Sequence, residues 1–194
     1  MKSSQKPSKR EAILNAMLDI VVERGFHDAP MSLVARRSGA SAGVIYHYFA
    51  SKEAIIEALY ERIRTVKRTT ILAGYTPEMP PKEAFLHVAR NIYHFYRSQS
   101  KELRFLEQYE HAGFPCEPQT AAPIDDELAA FERRFANQDN GGLLKNWPQA
   151  ILQELTAGVA IRLARLSDEI SPGLFEEIAE SIWEILKAQP SAKT

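Results

Sequence analysis

The sequence predicts an all-α fold. Gly and Pro residues divide the chain into helix-sized segments, and apolar residues within these segments recur with the 3.6-residue period of a helix. The alternating pattern of β-strands does not occur. Charge is uneven, because residues 1–70 hold 12 Lys and Arg against 7 Asp and Glu, whereas residues 71–194 hold 12 against 18. This asymmetry indicates a basic N-terminal module joined to an acidic remainder.

The composition is that of an ordinary globular protein: 194 residues, 45% hydrophobic, 25% charged, with a formal net charge of -1. The single cysteine, Cys116, excludes an intramolecular disulfide framework and zinc binding by paired CxxC motifs. The basic N-terminus lacks the apolar region of a secretory signal, and no apolar stretch approaches the roughly 18 residues of a membrane span. We therefore expect a cytoplasmic protein without a membrane partner.

The first predicted helix runs from Arg10 to Arg24. Its polar residues Asn15, Asp19 and Glu23 lie opposite an apolar arc, so this helix is amphipathic. The arc consists of Ile13, Leu14, Met17, Leu18, Ile20 and Val21.

A helix-turn-helix is predicted over residues 30–49. Two short helices, residues 31–38 and 42–48, are separated by a three-residue turn. Gly39 suits the left-handed C-cap of the first helix, and Ser41 suits the N-cap of the second. The second helix then has the length and the caps of an element that enters a major groove.

The residue types of that second helix fit contact with DNA. Ser41, Ala42 and Gly43 are small, so the helix N-terminus can approach a phosphate with its free N–H groups. Tyr46 and His47 follow one turn later and supply polar groups for phosphates or base edges. The alternative for Tyr46 is packing in the core.

These residues carry a family resemblance. The stretch IVVERGFHDAPMSLVARRSGASAGVIYHYFASKEAIIEALYERI, residues 20–63, resembles the N-terminal DNA-binding domain of the TetR family of bacterial transcriptional regulators. The matching positions are Ala35, Gly39-Ala40-Ser41, Gly43, Tyr46, Phe49 and Lys52-Glu53. The resemblance implies a DNA-binding domain at residues 8–68 and a larger helical domain at residues 69–190 for effector binding and dimerisation.

The resemblance also assigns roles on double-stranded operator DNA. It implies phosphate contacts from Tyr46 and Lys52 and a base contact from His47, while Val44 can touch a thymine methyl. Pro30-Met31 and Val44 depart from the Thr and Ser residues that are common in the family at these positions. The predicted DNA-binding residues are Ser41, Ala42, Gly43, Val44, Tyr46, His47 and Lys52.

Aromatic residues concentrate in the middle of the chain, after a long helix that begins at Lys52 and spans both halves. The predicted helix at residues 82–98 carries a half-cylinder of apolar side chains. Sequence alone favours a plain core, whereas the resemblance implies a cavity for a largely hydrophobic effector bearing one or two polar groups. The predicted effector-binding residues are Phe85, Tyr93, Phe105, Tyr109 and Phe131.

The last two predicted helices, residues 148–166 and 172–188, are apolar on more than one side. A patch of this kind on a monomer marks an interface, and the resemblance implies a two-fold homodimer formed by these helices. The predicted interface residues are Ala157, Ala160, Ile161, Ala164, Ile182 and Trp183.

We predict a ligand-responsive regulator, most simply a repressor, rather than an enzyme. The sequence has no Gly-rich phosphate loop, HExxH or GxSxG, and therefore no catalytic residues are assigned. His87 and His94 are seven residues apart on a helix and cannot share a metal ion, so no metal or cofactor is predicted. The alternative is a small helical enzyme or ligand carrier whose first domain is vestigial.

Overall fold

The computed structural model describes residues 8–114, 123–135 and 143–188. The helices are α1 (Lys9–Arg24), α2 (Met31–Ser38), α3 (Ala42–Tyr48), α4 (Lys52–Ile71), α5 (Pro81–Ser98), α6 (Ser100–His111), α7 (Pro123–Phe135), α8 (Gln149–Gln153), α9 (Val159–Ala164) and α10 (Pro172–Leu186). A π-helical turn (Glu154–Gly158) joins α8 to α9. The all-α prediction is confirmed, since these residues contain no strand longer than an isolated bridge. None of the helices in these ranges combines the length and apolar composition needed to cross a membrane.

The helix-turn-helix forms from local signals. Gly39 ends α2 in the left-handed region with a φ of 62°, which a glycine adopts without a steric penalty. Ser41 begins α3, because its Oγ accepts a hydrogen bond from the Val44 N–H at 3.4 Å. Both helices begin and end at the residues that the sequence predicts.

The described chain divides into two compact units, which differ from the continuous domains expected from the sequence. The first unit holds residues 8–65 and 99–114, and the second holds residues 66–98, 123–135 and 143–188. Helix α6 therefore belongs to the same unit as the helix-turn-helix.

The core of the first unit joins α6 to the N-terminal helices. Phe26, which follows α1, contacts Phe105 and Tyr109 of α6 edge to face, at centroid distances of 5.5 and 6.3 Å. Lys101 Nζ donates a hydrogen bond to Asp19 Oδ1 at 2.6 Å, and this bond raises the pKa of Lys101. The buried residues of α1 that complete this core are Ile13, Leu14, Ala16, Met17, Leu18, Ile20 and Val21.

The second unit packs α9 and α10 against α5. Arg90 on α5 donates a hydrogen bond to Glu176 on α10 at 2.6 Å, and this bond raises the pKa of Arg90 above its ordinary value. The chain after α10 pairs with the segment before α8 through an antiparallel bridge between Leu144 and Lys187. The buried residues of the main core are Ala84, Phe85, Phe135, Leu144, Trp183 and Leu186.

Candidate functional site

Helix α3 presents one buried side and one exposed side. Ile45 is fully buried, and Phe49, the C-cap residue, is also buried. Tyr46 is 56% exposed, and His47 is also exposed, so these two predicted DNA-binding side chains are free of the core. The placement removes the alternative in which Tyr46 serves core packing.

The N-terminus of α3 carries little side-chain bulk. Ser41, Ala42 and Gly43 are exposed, and a Cβ added at Gly43 would have no atom within 4 Å. A surface of this kind lets the backbone N–H groups of the first helical turn come close to a phosphate. Because α3 has only seven residues, its dipole alone does not define a binding site, and contact with DNA also needs the polar side chains that follow.

Two of the predicted DNA-binding residues are placed differently from the others. Val44 is half-buried and packs against the core of the first unit, which limits its reach toward a thymine methyl. Lys52 Nζ donates a hydrogen bond to the Phe26 carbonyl at 2.5 Å, so one of its three N–H donors is already used inside the unit.

Other basic side chains surround the helix-turn-helix. Lys9 Nζ donates to the Gly39 carbonyl at 2.9 Å, and Arg37 donates to both carboxylate oxygens of Glu23 at 2.8 and 2.6 Å. The hydrogen bond from Arg37 lowers the pKa of Glu23, so this pair stays ionised to more acidic pH. Arg36 is exposed, and no ion pair joins it to any described residue. Arg36 is therefore the better placed of the adjacent arginines for a phosphate.

Tyr48 is an exposed aromatic residue that the sequence analysis missed. It is 44% exposed, and its ring meets that of His47 edge to face at 5.3 Å. Its exposure could have been predicted from its position, because Tyr48 directly follows His47 and the inner side of the helix is occupied by apolar Ile45 and Phe49. Tyr48 thus extends the polar and aromatic surface of α3.

The second unit contains a cavity of about 400 Å³. Phe85, Val88 and Phe135 are buried and form apolar floor, whereas Asn146 and Trp147 are exposed and mark the mouth. Ligand sites have volumes of roughly 300–1,000 Å³ and apolar walls with a few polar groups. The cavity therefore has the size and lining of a small-molecule site.

Two of the five predicted effector-binding residues line this cavity, namely Phe85 and Phe131. Phe105 and Tyr109 do not, since both are buried in the core of the first unit. Tyr93 does not line it either, because its ring packs against Phe175 at 4.8 Å. The buried Tyr93 hydroxyl has no hydrogen-bond partner among the described residues.

Most of the predicted interface residues are buried or half-buried within the single protomer. Ala160 and Ala164 are 3% and 5% exposed within one protomer, because their small side chains allow α9 to pack closely on α5. Trp183 is buried against Phe85 at a centroid distance of 5.3 Å. Ile182 is half-buried against the same core, Ala157 lines the cavity and Ile161 is half-buried.

The exposed apolar residues of these helices lie on their outer sides. On α10, Leu174 and Ile185 are 45% and 53% exposed, and they are 11 residues apart, so they share one face of the helix. Ile151 on α8 and Leu166 after α9 are exposed as well. The small residues thus face the protomer's own core, and larger aliphatic residues face outward.

No group of three His, Cys, Asp or Glu side chains in the described ranges is arranged to hold a metal ion. His87, which the sequence treats as a solvated residue, lies 2.7 Å from the Ala73 carbonyl through Nε2. This contact serves the end of α4 rather than a ligand site.

Comparison with known sequences finds a family match within the first unit. Residues 13–59 match the sequence model described as bacterial regulatory proteins, tetR family. Over these residues the chain is similar to the TetR family. The match includes α2, the turn and α3, so the exposed α3 surface lies within the matched residues.

Curated relatives resemble the chain over the same N-terminal region. The HTH-type transcriptional regulator BetI of Klebsiella pneumoniae (strain 342) is 38% identical over 71 residues, which are 37% of this chain and 36% of that protein. BetI of Escherichia coli (strain K12 / DH10B) is 38% identical over 64 residues, 33% of each chain. The chain matches little more than a third of the length of these relatives.

Solved structures match almost the whole chain in fold. A TetR family transcription regulator from Marinobacter aquaeolei VT8 aligns with a TM-score of 0.81 at 18% identity, over 93% of this chain and 96% of that one. A TetR-family transcriptional regulator from Haemophilus influenzae RD aligns with a TM-score of 0.73 at 24% identity, over 93% and 97%. At these identities the likeness concerns the fold.

Proposed function

We propose that this TetR-family protein is a transcriptional repressor whose homodimer binds palindromic operator DNA and is released by a small molecule. The observation that carries the proposal is the exposed side of α3, where Tyr46 and His47 follow a helix start with little side-chain bulk. A recognition helix needs these two features, because its N-terminus approaches the backbone and its next turn reaches base edges.

Each side chain of α3 has a role in this proposal. The Tyr46 hydroxyl donates to a phosphate oxygen and fixes the position of the helix on any sequence. His47 donates to the N7 or O6 of a guanine and thereby contributes sequence preference. Arg36 adds a sequence-independent phosphate contact from α2.

We expect Tyr46→Ala and His47→Ala to weaken operator binding without unfolding the protein, because both side chains are exposed. Tyr46→Ala should weaken binding to all DNA sequences by the same factor. His47→Ala should reduce discrimination by about 1–3 kcal/mol at one base position per half-site. Fluorescence anisotropy with labelled duplexes measures both effects.

The matched control is His94→Ala, which removes an exposed histidine on α5 of the second unit. Its DNA affinity and melting temperature should equal those of the wild type. If Tyr46→Ala and His47→Ala also bind like the wild type at moderate salt, α3 is not the recognition helix.

The dimer in this proposal uses the outer faces of α8 and α10. Ile151 on α8 and Leu174 and Ile185 on α10 are exposed aliphatic side chains that a monomer would leave in water. A two-fold axis would place the same surfaces of two protomers against each other. The symmetry of such a dimer would match that of a palindromic DNA site.

Release by a small molecule would operate through the second unit. A ligand in the cavity shifts the population toward arrangements that bind DNA poorly, provided that it binds those arrangements more tightly. The coupling is reciprocal, so operator DNA should weaken ligand binding by the same factor.

The experiment that tests the function is selection of bound sequences from random duplex DNA by the purified chain. The proposal predicts enrichment of one palindrome whose half-sites are separated by about one or two helical turns. Enrichment of no sequence would contradict it and would favour a ligand carrier in which the first unit is vestigial.

A further inference from the structure

The cavity in the second unit combines an apolar floor with two lysines. Lys67 on α4 and Lys145 before α8 are half-buried and both line it. They come from segments that are far apart in sequence, and only the fold brings them to one cavity. The two lysines say more about the ligand than the aromatic side chains do, because apolar side chains also line ordinary protein cores.

Both ammonium groups rest on aromatic rings. Lys67 Nζ lies 5.4 Å from the centroid of Tyr96, and Lys145 Nζ lies 5.1 Å from the centroid of Trp147. Cation–π contacts of this kind hold an ammonium in place without neutralising its charge. Trp147 itself lines the cavity, whereas Tyr96 does not. No ion pair joins either lysine to a carboxylate of the described residues.

The remaining charge on the lining is small. Glu132 is the acidic residue among the described lining residues, and its side chain is exposed. Among the described lining residues, two half-buried cations stand against one exposed anion, which gives this part of the cavity a positive charge. A charge held in partly apolar surroundings favours a counter-ion more strongly than a fully hydrated charge does.

We propose that the effector is an amphipathic anion, a carboxylate carried on an apolar body, with Lys67 and Lys145 binding the carboxylate end. The inference rests on the proposed function and narrows its ligand class. The apolar body fills the floor at Phe85 and Phe135, and the carboxylate supplies a counter-ion that no described residue provides to either lysine. A cationic ligand with the same body is disfavoured, because it would meet two like charges.

The test uses three probes with one body and different head groups: 6-phenylhexanoate, 6-phenylhexanol and 6-phenylhexylammonium. Calorimetry gives the affinities, and tryptophan emission, to which Trp147 at the cavity mouth contributes, gives an independent signal. The carboxylate should bind at least about tenfold more tightly than the alcohol, since hydrogen bonds to charged groups are worth more than neutral ones. The ammonium should bind most weakly.

Substitution assigns the preference to the two lysines. Lys67→Met and Lys145→Met should each weaken the carboxylate about tenfold while leaving the alcohol nearly unchanged. Lys82→Met is the matched control, because Lys82 lies in the same unit, pairs with Glu180 at 2.9 Å and does not line the cavity. This control should bind all three probes like the wild type.

Three outcomes overturn the inference: binding of none of the probes, equal or tighter binding of the ammonium, or a carboxylate preference that survives both lysine substitutions. Failure of the proposed function gives a different result. In that case the carboxylate still binds through the lysines, but it does not change the affinity of the protein for its selected DNA.

Discussion

Phe105→Ala is expected to lower the free energy of unfolding of the first unit by about 3–5 kcal/mol, one of the largest effects of any single substitution in this chain. Phe105 is fully buried, and its ring contacts Phe26 at 5.5 Å and Tyr109 at 6.0 Å. Truncation removes these contacts and leaves a cavity between α6 and the N-terminal helices. Operator binding should fail at a lower temperature than in the wild type, although α6 is outside the helix-turn-helix.

Phe131→Ala provides the comparison, because Phe131 is half-buried on the cavity wall of the second unit. Its substitution should weaken ligand binding and leave the stability of the first unit unchanged. Chemical denaturation followed by circular dichroism, together with anisotropy on labelled DNA, distinguishes the two variants. If Phe105→Ala altered ligand affinity and spared the first unit, α6 would serve the cavity as the sequence had suggested.

Ile185→Glu is expected to convert the proposed homodimer into monomers, with a dimer dissociation constant raised at least about a hundredfold. Ile185 is 53% exposed on the outer face of α10, so the protomer itself tolerates the change. In a two-fold dimer the substitution buries two unpaired charges, one from each copy. Palindromic DNA should then be bound far more weakly, since each monomer reads a single half-site.

Val66→Glu is the matched control for this prediction. Val66 is also an exposed aliphatic residue of the second unit, at 45%, but it lies on α4. Sedimentation should show a dimer for the wild type and for Val66→Glu and a monomer for Ile185→Glu. A wild type that is monomeric at micromolar concentration, or an unaffected Ile185→Glu dimer, would refute the proposed interface.

The helix-turn-helix could be predicted residue by residue because its signals are local. A left-handed glycine at Gly39 and an N-cap at Ser41 act on the residues beside them, so the limits of α2 and α3 depend little on the rest of the chain. Alternation of buried Ile45 and exposed Tyr46 likewise follows from helical geometry.

The packing partners of aromatic and small residues could not be predicted where the partner lies far along the chain. Helical periodicity shows that Phe105 faces a core, but it does not show which core. The helix that packs against α6 is α1, which lies more than 80 residues earlier in the chain. Ala160 and Ala164 allow close helix contact, and the same property suits a neighbouring protomer or the protomer's own α5. Sequence periodicity does not distinguish these cases.

The charged lining of the cavity was missed for a related reason. A lysine such as Lys67 or Lys145 is ordinarily a solvated residue when considered alone, and only the fold places both beside one apolar floor. The aromatic residues Tyr96 and Trp147 that support them are equally dispersed in sequence.

We claim that the chain recognises operator DNA through α3, and the decisive experiment titrates its selected palindrome and a scrambled duplex at salt concentrations from about 50 to about 200 mM. We predict that the palindrome binds at least about a thousandfold more tightly than the scrambled duplex. We also predict that both affinities fall steeply as salt rises, since phosphate contacts release counterions. Equal affinity for the two duplexes, or an affinity that does not change with salt, would contradict the claim.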